Sequence, residues 1–153
     1  MFVPVGNHYK KEGLIDEKHR YNMLHIAIKK FDKLEISDIE LNLDRTLMPI
    51  EIFDVINKMY STDEIHFILG ADNLYKINEQ LQDKYNYIVI KRKDFEISHE
   101  IANKNNIKIL DNENYAEVSA TNIRKKLKQS YNNLENELPK GVLKYILDKK
   151  LYL

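Results

Sequence analysis

Short apolar runs that alternate with helical segments constrain this chain to an α/β fold. Residues 65–69 (Ile-His-Phe-Ile-Leu) and 87–90 (Tyr-Ile-Val-Ile) are almost continuously apolar. Runs of this length and composition are typical of parallel strands that are buried on both faces. A short helix over 98–103 and a third strand over 107–110 follow. Strands that alternate with helices predict a doubly wound parallel sheet with right-handed crossovers.

Apolar residues at helical spacing account for much of the rest of the chain. Residues 19–31 carry one such face, and residues 49–60 carry another that begins with proline, a favourable first residue of a helix. Ser119 and Pro139 each open a further helix. A helix capped by Asp72 is expected to carry the apolar residues Leu74, Ile77 and Leu81.

The amino-terminal part has a weaker pattern. Residues 2–5 have the composition of a strand end, and residues 6–17 are polar and basic and predict a loop. Residues 34–41 are strand-like, but their alternation slips between Ile36 and Ile39, so a bulge or an early end is expected. The chain begins inside the strand–helix alternation, and we expect a first strand and helix to be missing.

Composition excludes several classes of protein. A length of 153 residues suits one domain spanning 1–153. The 24 basic and 24 acidic residues balance, so charge offers no case for a nucleic-acid or membrane partner. The lack of cysteine excludes disulfides and suits a reducing cytoplasm, which is the predicted location. No apolar run approaches the roughly 18 residues of a membrane helix, and the opening residues do not form a signal peptide.

The strongest functional candidate is the segment Val-Ser-Ala-Thr-Asn-Ile-Arg at 118–124. Ser119 can cap the helix, Thr121 lies in its first turn, and Arg124 follows one turn further on. A helix N-terminus offers unpaired N–H groups and a partial positive charge, which attract phosphate. The arginine adds a planar fork of donors for phosphate oxygens. The segment therefore predicts a nucleotide-phosphate site.

A second candidate, Leu-Gly-Ala-Asp-Asn-Leu at 69–74, follows a buried strand. Ligands of open parallel sheets gather at the carboxyl ends of the strands. Serine, threonine and aspartate are also the ordinary capping residues of helices, so a purely structural cap is the alternative for each segment taken alone. Two such segments in one alternating chain favour a ligand site.

Further segments follow the order and spacing of motifs in a known family. They are Val3-Pro4 with His8 and Lys10-Lys11, an Arg-x-x-Met-Leu-x-x-Ala-Ile pattern from Arg20, Asp-Ile-Glu-Leu at 38–41, Phe-Ile-Leu-Gly-Ala-Asp at 67–72, Lys91-Arg92, the segment 118–124, and the tail from Leu138 to Tyr152. With them the chain resembles the bacterial nicotinate-nucleotide adenylyltransferases of the nucleotidylyltransferase superfamily. The resemblance implies a Rossmann-like fold.

The resemblance also implies an activity. AMP would pass from ATP to nicotinate (or nicotinamide) mononucleotide in NAD biosynthesis, with Mg²⁺ bridging the ATP phosphates. Positioning and charge neutralisation would drive this transfer, without a covalent nucleophile. The residues implied are Ser119, Thr121 and Arg124 with Lys10 or Lys11 for ATP, and Gly70, Ala71, Asp72 and Arg92 for the acceptor. The alternatives are a solvated loop for the lysines, helix capping for Asp72, and a carboxylate partner for Arg92.

The departures from the family are equally specific. The Gly-Gly-x-Phe-Asp-Pro-x-His-x-Gly-His segment, whose two histidines hold the ATP phosphates, is absent, so no catalytic residue is assigned. Residues 47–49 replace the expected Ser-Tyr-Thr, and Gln80 replaces a tryptophan that would stack on the pyridine ring. We therefore expect a family member truncated at its amino end. A nucleotide-binding or interaction module without catalysis, a different acceptor and a homo-oligomer paired through an exposed sheet edge stay open.

Overall fold

The computed structural model describes residues 1–41, 43–92, 95–111, 118–130 and 134–153. The chain divides into two compact units, Met1–Leu47 with Glu117–Leu153 (unit 1) and Met48–Ala116 (unit 2). The single domain predicted over 1–153 stays a prediction. The helices and strands are α1 Glu17–Ile28, α2 Pro49–Met59, β1 His66–Gly70, α3 Ala71–Leu74, α4 Glu79–Lys84, β2 Asn86–Ile90, α5 His99–Ala102, β3 Ile107–Leu110, α6 Ala120–Gln129, a 3-10 turn Leu134–Asn136, and α7 Lys140–Asp148.

The described part of unit 2 contains a three-stranded parallel sheet in the order β1-β2-β3. Phe67 pairs with Tyr87, and Tyr87 with Ile107, so the three predicted strands lie side by side. Phe53 of α2 stacks on Phe67 with 3.9 Å between the ring centroids. Apolar side chains therefore cover one face of the sheet. On the other face Ile68 is 70% exposed, so the predicted burial of the strands on both faces is wrong for β1. The buried residues of this core are Ala71, Leu74, Ile77, Leu81, Tyr85, Tyr87, Val89 and Ile107.

The helix predicted after β1 is broken in two, and Asp72 does not cap it. Gly70 occupies the N-cap position of the one-turn helix α3, and Asp72 lies inside that turn. Asn78 then starts α4 by accepting a hydrogen bond from the Leu81 N–H at 3.0 Å. The break leaves Ile77 and Leu81 buried, so the apolar spacing was informative although the helix is not continuous. The cap at Asn78 therefore begins a new helix, where the apolar spacing predicted one continuous helix.

Unit 1 is built from α1, α6 and α7. Asp16 caps α1, which ends at Ile28, so the predicted extension to Phe31 is wrong and that ring is half exposed. The strand expected over 34–41 is reduced to one parallel bridge between Ile36 and Phe2, which bears out the early end. Ser119 and Pro139 occupy the N-cap positions of α6 and α7, as predicted. The buried core of this unit is Ile123, Leu127, Leu134, Val142 and Ile146.

Within the described residues, no helix is both long enough and apolar enough to cross a membrane.

The buried phenol of Tyr87 makes unit 2 sensitive to alkaline pH. Burial raises the pKa of Tyr87 to about 12, whereas an unfolded tyrosine titrates near pH 10. The stabilisation is fully present below pH 10 and is lost as pH rises towards 12, because the unfolded chain releases this proton first. We expect the free energy of unfolding to fall by about 2 kcal/mol over that range.

Tyr87→Phe is the matched control for this alkaline loss. It removes the phenol and its 2.7 Å hydrogen bond to the Leu81 carbonyl, at a cost of about 1 kcal/mol near neutral pH. Urea titrations of both proteins at pH 8 and pH 11.5 measure the difference. If both proteins lose the same free energy of unfolding between pH 8 and pH 11.5, the Tyr87 phenol is not the cause of the alkaline loss.

Candidate functional site

The N-terminus of α6 brings together the three residues that the sequence predicts for a phosphate. Ser119 Oγ accepts a hydrogen bond from the Asn122 N–H at 3.4 Å, and the Ser119 carbonyl accepts one from the Ile123 N–H at 2.9 Å. Thr121 is exposed in the first turn, and Arg124 Nη2 donates to Thr121 Oγ1 at 3.4 Å. The hydroxyls and the guanidinium therefore lie at one helix end. Since that end also carries the positive pole of the helix dipole, it suits an anion.

The basic loop (residues 6–16) lies against this arginine. A Cβ built on Gly13 would be 3.9 Å from Arg124 Nε, and Gly13 has a φ of +70°. Gly13 lies within a turn in which the Leu14 N–H donates to the Lys11 carbonyl at 3.2 Å. Lys10 and Lys11 are exposed on the loop. The loop and the α6 N-terminus thus meet within unit 1, where the loop contributes Lys10 and Lys11 and the helix contributes Arg124.

The base of the basic loop is closed by contacts that the sequence pattern did not indicate. The Asn7 N–H donates to Glu17 Oε2, and the Glu17 N–H donates to Asn7 Oδ1, each at 2.7 Å. Beside this pair, Arg20 Nε donates to the Ile15 carbonyl at 2.9 Å and Arg20 Nη1 donates to the Val5 carbonyl. Arg20 belongs to a family motif, but its two acceptors are backbone atoms. Only the folded chain identifies them.

A buried carboxyl and a half-buried phenol lie near this arginine. Glu40 is 4% exposed, and burial raises the pKa of its carboxyl while the charge of Arg20 opposes that rise. Burial also raises the pKa of Tyr152, which the positive charges of Arg124 and Arg20 counteract. Both guanidiniums are therefore near the Tyr152 phenol. This part of unit 1 therefore contains two arginines, Arg20 and Arg124, and one buried acid, Glu40.

In unit 2, Gly70, Asp72 and Arg92 converge at the carboxyl end of the sheet. Asp72 Oδ1 and Arg92 Nε form an ion pair at 3.2 Å. A Cβ on Gly70 would lie 2.6 Å from Asp72 Oδ1 and 3.1 Å from Arg92 Nε, so any larger residue would have to push these two side chains aside. Ala71 is fully buried in the core of unit 2, which fixes the backbone of this turn. Arg92 therefore has the carboxylate partner that the sequence left as an alternative to a ligand.

Two features of this ion pair are relevant to binding. Asp72 Oδ1 is shielded from solvent, and its contact with Arg92 Nε does not have the geometry of a hydrogen bond. The Arg92 side chain is 59% exposed. The guanidinium therefore has donors directed to solvent while its charge is held in place. Among the described residues, no three His, Asp or Glu side chains converge on a metal position.

Comparisons with known proteins agree on a family and a fold. The Cytidylyltransferase-like family model matches residues 1–126. The probable nicotinate-nucleotide adenylyltransferase of Carboxydothermus hydrogenoformans is 30% identical over 170 residues, which cover 99% of this chain and 82% of that protein. The protein of the same name from Acholeplasma laidlawii is 29% identical over 158 residues, covering 99% of this chain and 80% of its own length.

Solved structures share the fold at lower identity. The Plasmodium falciparum nicotinic acid mononucleotide adenylyltransferase complexed with NaAD superposes with a TM-score of 0.72 at 20% identity, over 98% of this chain and 80% of that one. The same enzyme complexed with APC gives a TM-score of 0.68 at 20% identity, over 91% of this chain and 77% of that one. The α/β, Rossmann-like class predicted from the sequence is confirmed.

Proposed function

Because the chain belongs to the cytidylyltransferase-like family and, within it, to the bacterial nicotinate-nucleotide adenylyltransferases, we propose that it transfers an adenylyl group from ATP to nicotinate mononucleotide. A phosphate oxygen of the mononucleotide attacks the α-phosphorus of ATP. The bond from that phosphorus to the oxygen bridging to the β-phosphorus breaks, and pyrophosphate leaves. The products are the dinucleotide and pyrophosphate.

The observation that carries this proposal is the arrangement of Ser119, Thr121 and Arg124 at the N-terminus of α6. Charge moves onto phosphate oxygens during the transfer, and preorganised donors stabilise it. The proximity of Thr121 Oγ1 and Arg124 Nη2 at 3.4 Å supports a joint role of the two residues on the ATP phosphates. Lys10 and Lys11, exposed on the basic loop, would neutralise the same group. Mg²⁺ would be supplied with ATP and would neutralise part of the phosphate charge.

The residues proposed for the acceptor are those at the end of β1. Gly70 and Ala71 place backbone at the carboxyl edge of the sheet, where ligands of such folds bind. Asp72 holds Arg92 by an ion pair, which leaves the other guanidinium donors for an acidic group of the mononucleotide. The nicotinate carboxylate and the mononucleotide phosphate are both of this kind.

Gly70→Ala tests the acceptor residues. The added methyl group would displace Asp72 Oδ1, which lies 2.6 Å away, and disturb Arg92. We expect the KM for nicotinate mononucleotide to rise roughly tenfold, the effect of losing about one charge-assisted hydrogen bond, while ATP affinity changes less than twofold. Lys108→Ala, at an exposed position of β3, is the control. An unchanged KM for the mononucleotide would argue against acceptor binding at Gly70.

The reaction itself is tested by incubating the purified chain with ATP, Mg²⁺ and nicotinate mononucleotide. Dinucleotide formation with stoichiometric pyrophosphate release supports the proposal. ATP binding by calorimetry without any dinucleotide would instead favour a nucleotide-binding module that lacks catalysis. Pyrophosphate release only with nicotinamide mononucleotide, phosphopantetheine or a cytidylyl substrate pair would change the substrate assignment and keep the superfamily chemistry.

A further inference from the structure

We propose that Arg20 is a positioning residue that holds the basic loop in the conformation that binds the phosphates of ATP. The proposal rests on the proposed function for the identity of the ligand. It concerns a residue that the phosphate motif at 118–124 does not include. Arg20 affects ATP binding through the loop and does not contact ATP itself.

The contacts of Arg20 join the two ends of the loop. Its Nη1 donates to the carbonyl of Val5, just before the loop, and its Nε donates to the carbonyl of Ile15, near the end of it. A planar guanidinium can serve both carbonyls at once because its donors are fixed relative to one another. Since Arg20 is anchored on α1, the ends of the loop are fixed to that helix.

The guanidinium of Arg20 is partly buried and lies near a buried carboxyl. Arg20 Nη2 is shielded from solvent and has no hydrogen-bond partner among the described residues. The neighbouring carboxyl of Glu40 is buried and interacts electrostatically with Arg20. A shielded cation that uses its donors on backbone carbonyls restrains the chain more than a solvated one, since releasing it would leave those carbonyls unpaired.

The loop in turn contacts the residue proposed to bind phosphate. Gly13 lies against Arg124, with 3.9 Å between its constructed Cβ and Arg124 Nε. Lys10 and Lys11 precede it on the same loop. A loop released at its base would therefore move away from Arg124 and carry both lysines with it. Arg20 thereby sets where Lys10 and Lys11 lie relative to Arg124, without reaching the ligand.

Arg20→Lys tests this role because it keeps the charge beside Glu40 but loses the fork that serves two carbonyls. We expect ATP affinity, measured by calorimetry, to fall roughly fivefold, the factor of one lost hydrogen bond. Limited trypsin cleavage after Lys10 and Lys11 should accelerate by a similar factor, since proteolysis reports local opening. Arg45→Lys, at an exposed arginine of the same unit whose Nη1 contacts the adjacent Thr46 carbonyl, should change neither.

The two measurements separate this proposal from its alternatives. Weaker ATP binding with unchanged cleavage would mean that Arg20 contacts ATP directly, which would overturn a positioning role. Faster cleavage with unchanged ATP affinity would overturn the link between loop and ligand. If Arg20→Lys fails to fold, Arg20→Gln, which retains one donor, carries the same two predictions. Failure of the wild-type chain to bind ATP would overturn the proposed function, whereas cleavage would still decide whether Arg20 holds the loop.

Discussion

Replacing Arg124 with alanine is expected to weaken ATP binding by roughly 1.5–3 kcal/mol, or about 10- to 150-fold, the range for a charge-assisted hydrogen bond. Arg124 combines a position at the positive end of α6 with a hydrogen bond to Thr121 and a contact with the basic loop at Gly13. Its planar fork matches phosphate oxygens, so Arg124→Lys should recover only part of the affinity. Calorimetric titration with Mg²⁺–ATP measures all three proteins.

Lys125→Ala is the control for this substitution. Lys125 is the next residue of the same helix, is exposed, and carries the same charge. It should reduce ATP affinity by less than about twofold, since an exposed charge at this distance is screened. The melting temperature of Arg124→Ala should correspond to a loss of about 1 kcal/mol or less, as alanine keeps the helix favourable. A much larger loss of stability, or an unchanged affinity for ATP, would assign Arg124 a structural role.

The sheet could be predicted from sequence because its signal is local. The strands β1, β2 and β3 pack one face against apolar neighbours and consist mostly of hydrophobic residues, so each stands out in the sequence as a short apolar run. The helix starts at Ser119 and Pro139 were predictable for the same reason, because the residue that opens a helix acts on the turn that follows it.

The features that could not be predicted depend on contacts between distant segments. Asp72 has the composition of a helix cap, yet it makes an ion pair with Arg92, a residue that only the pairing of β1 with β2 brings near. Arg20 lies in an apolar helical pattern that says nothing of the carbonyls of Val5 and Ile15. Residues 34–41 lost most of their predicted strand because residues 38–41 form a turn, closed by the Leu41 N–H on the Asp38 carbonyl.

The site was therefore predictable only where one segment supplies it. The residues of the α6 N-terminus are consecutive, so their arrangement follows from helix geometry alone. The base of the basic loop combines Val5, Asn7, Glu17 and Arg20, and neither spacing nor composition relates the first two to the others. The sequence therefore predicts Lys10 and Lys11 as site residues, but it does not indicate the contacts at the base of the loop that hold these lysines in place.

Gly6→Ala is expected to cause the largest loss of stability, about 3 kcal/mol, at the upper end of what overpacking costs. Gly6 is buried, and a Cβ at this position would lie 2.3 Å from the backbone carbonyl oxygen of Glu40. Because the obstructing atom belongs to the main chain, no rotation of a side chain can make room. The segment around Gly6 would have to shift, together with the reciprocal bonds of Asn7 and Glu17.

Gly13→Ala separates this steric cost from the conformational preference of glycine. Gly13 is exposed and has a φ of +70°, but a Cβ there has 3.9 Å to its nearest neighbour. Alanine should cost about 1–2 kcal/mol at this position, the price of the left-handed conformation alone. Urea unfolding of the two variants and of the wild type measures both the steric cost at Gly6 and the conformational cost at Gly13. If Gly6→Ala is no less stable than Gly13→Ala, the approach of Gly6 to Glu40 is not what holds the base of the basic loop. If Gly6→Ala is clearly less stable than Gly13→Ala and also binds ATP more weakly, the packing of Gly6 against Glu40 at the base of the loop determines the geometry of the phosphate site.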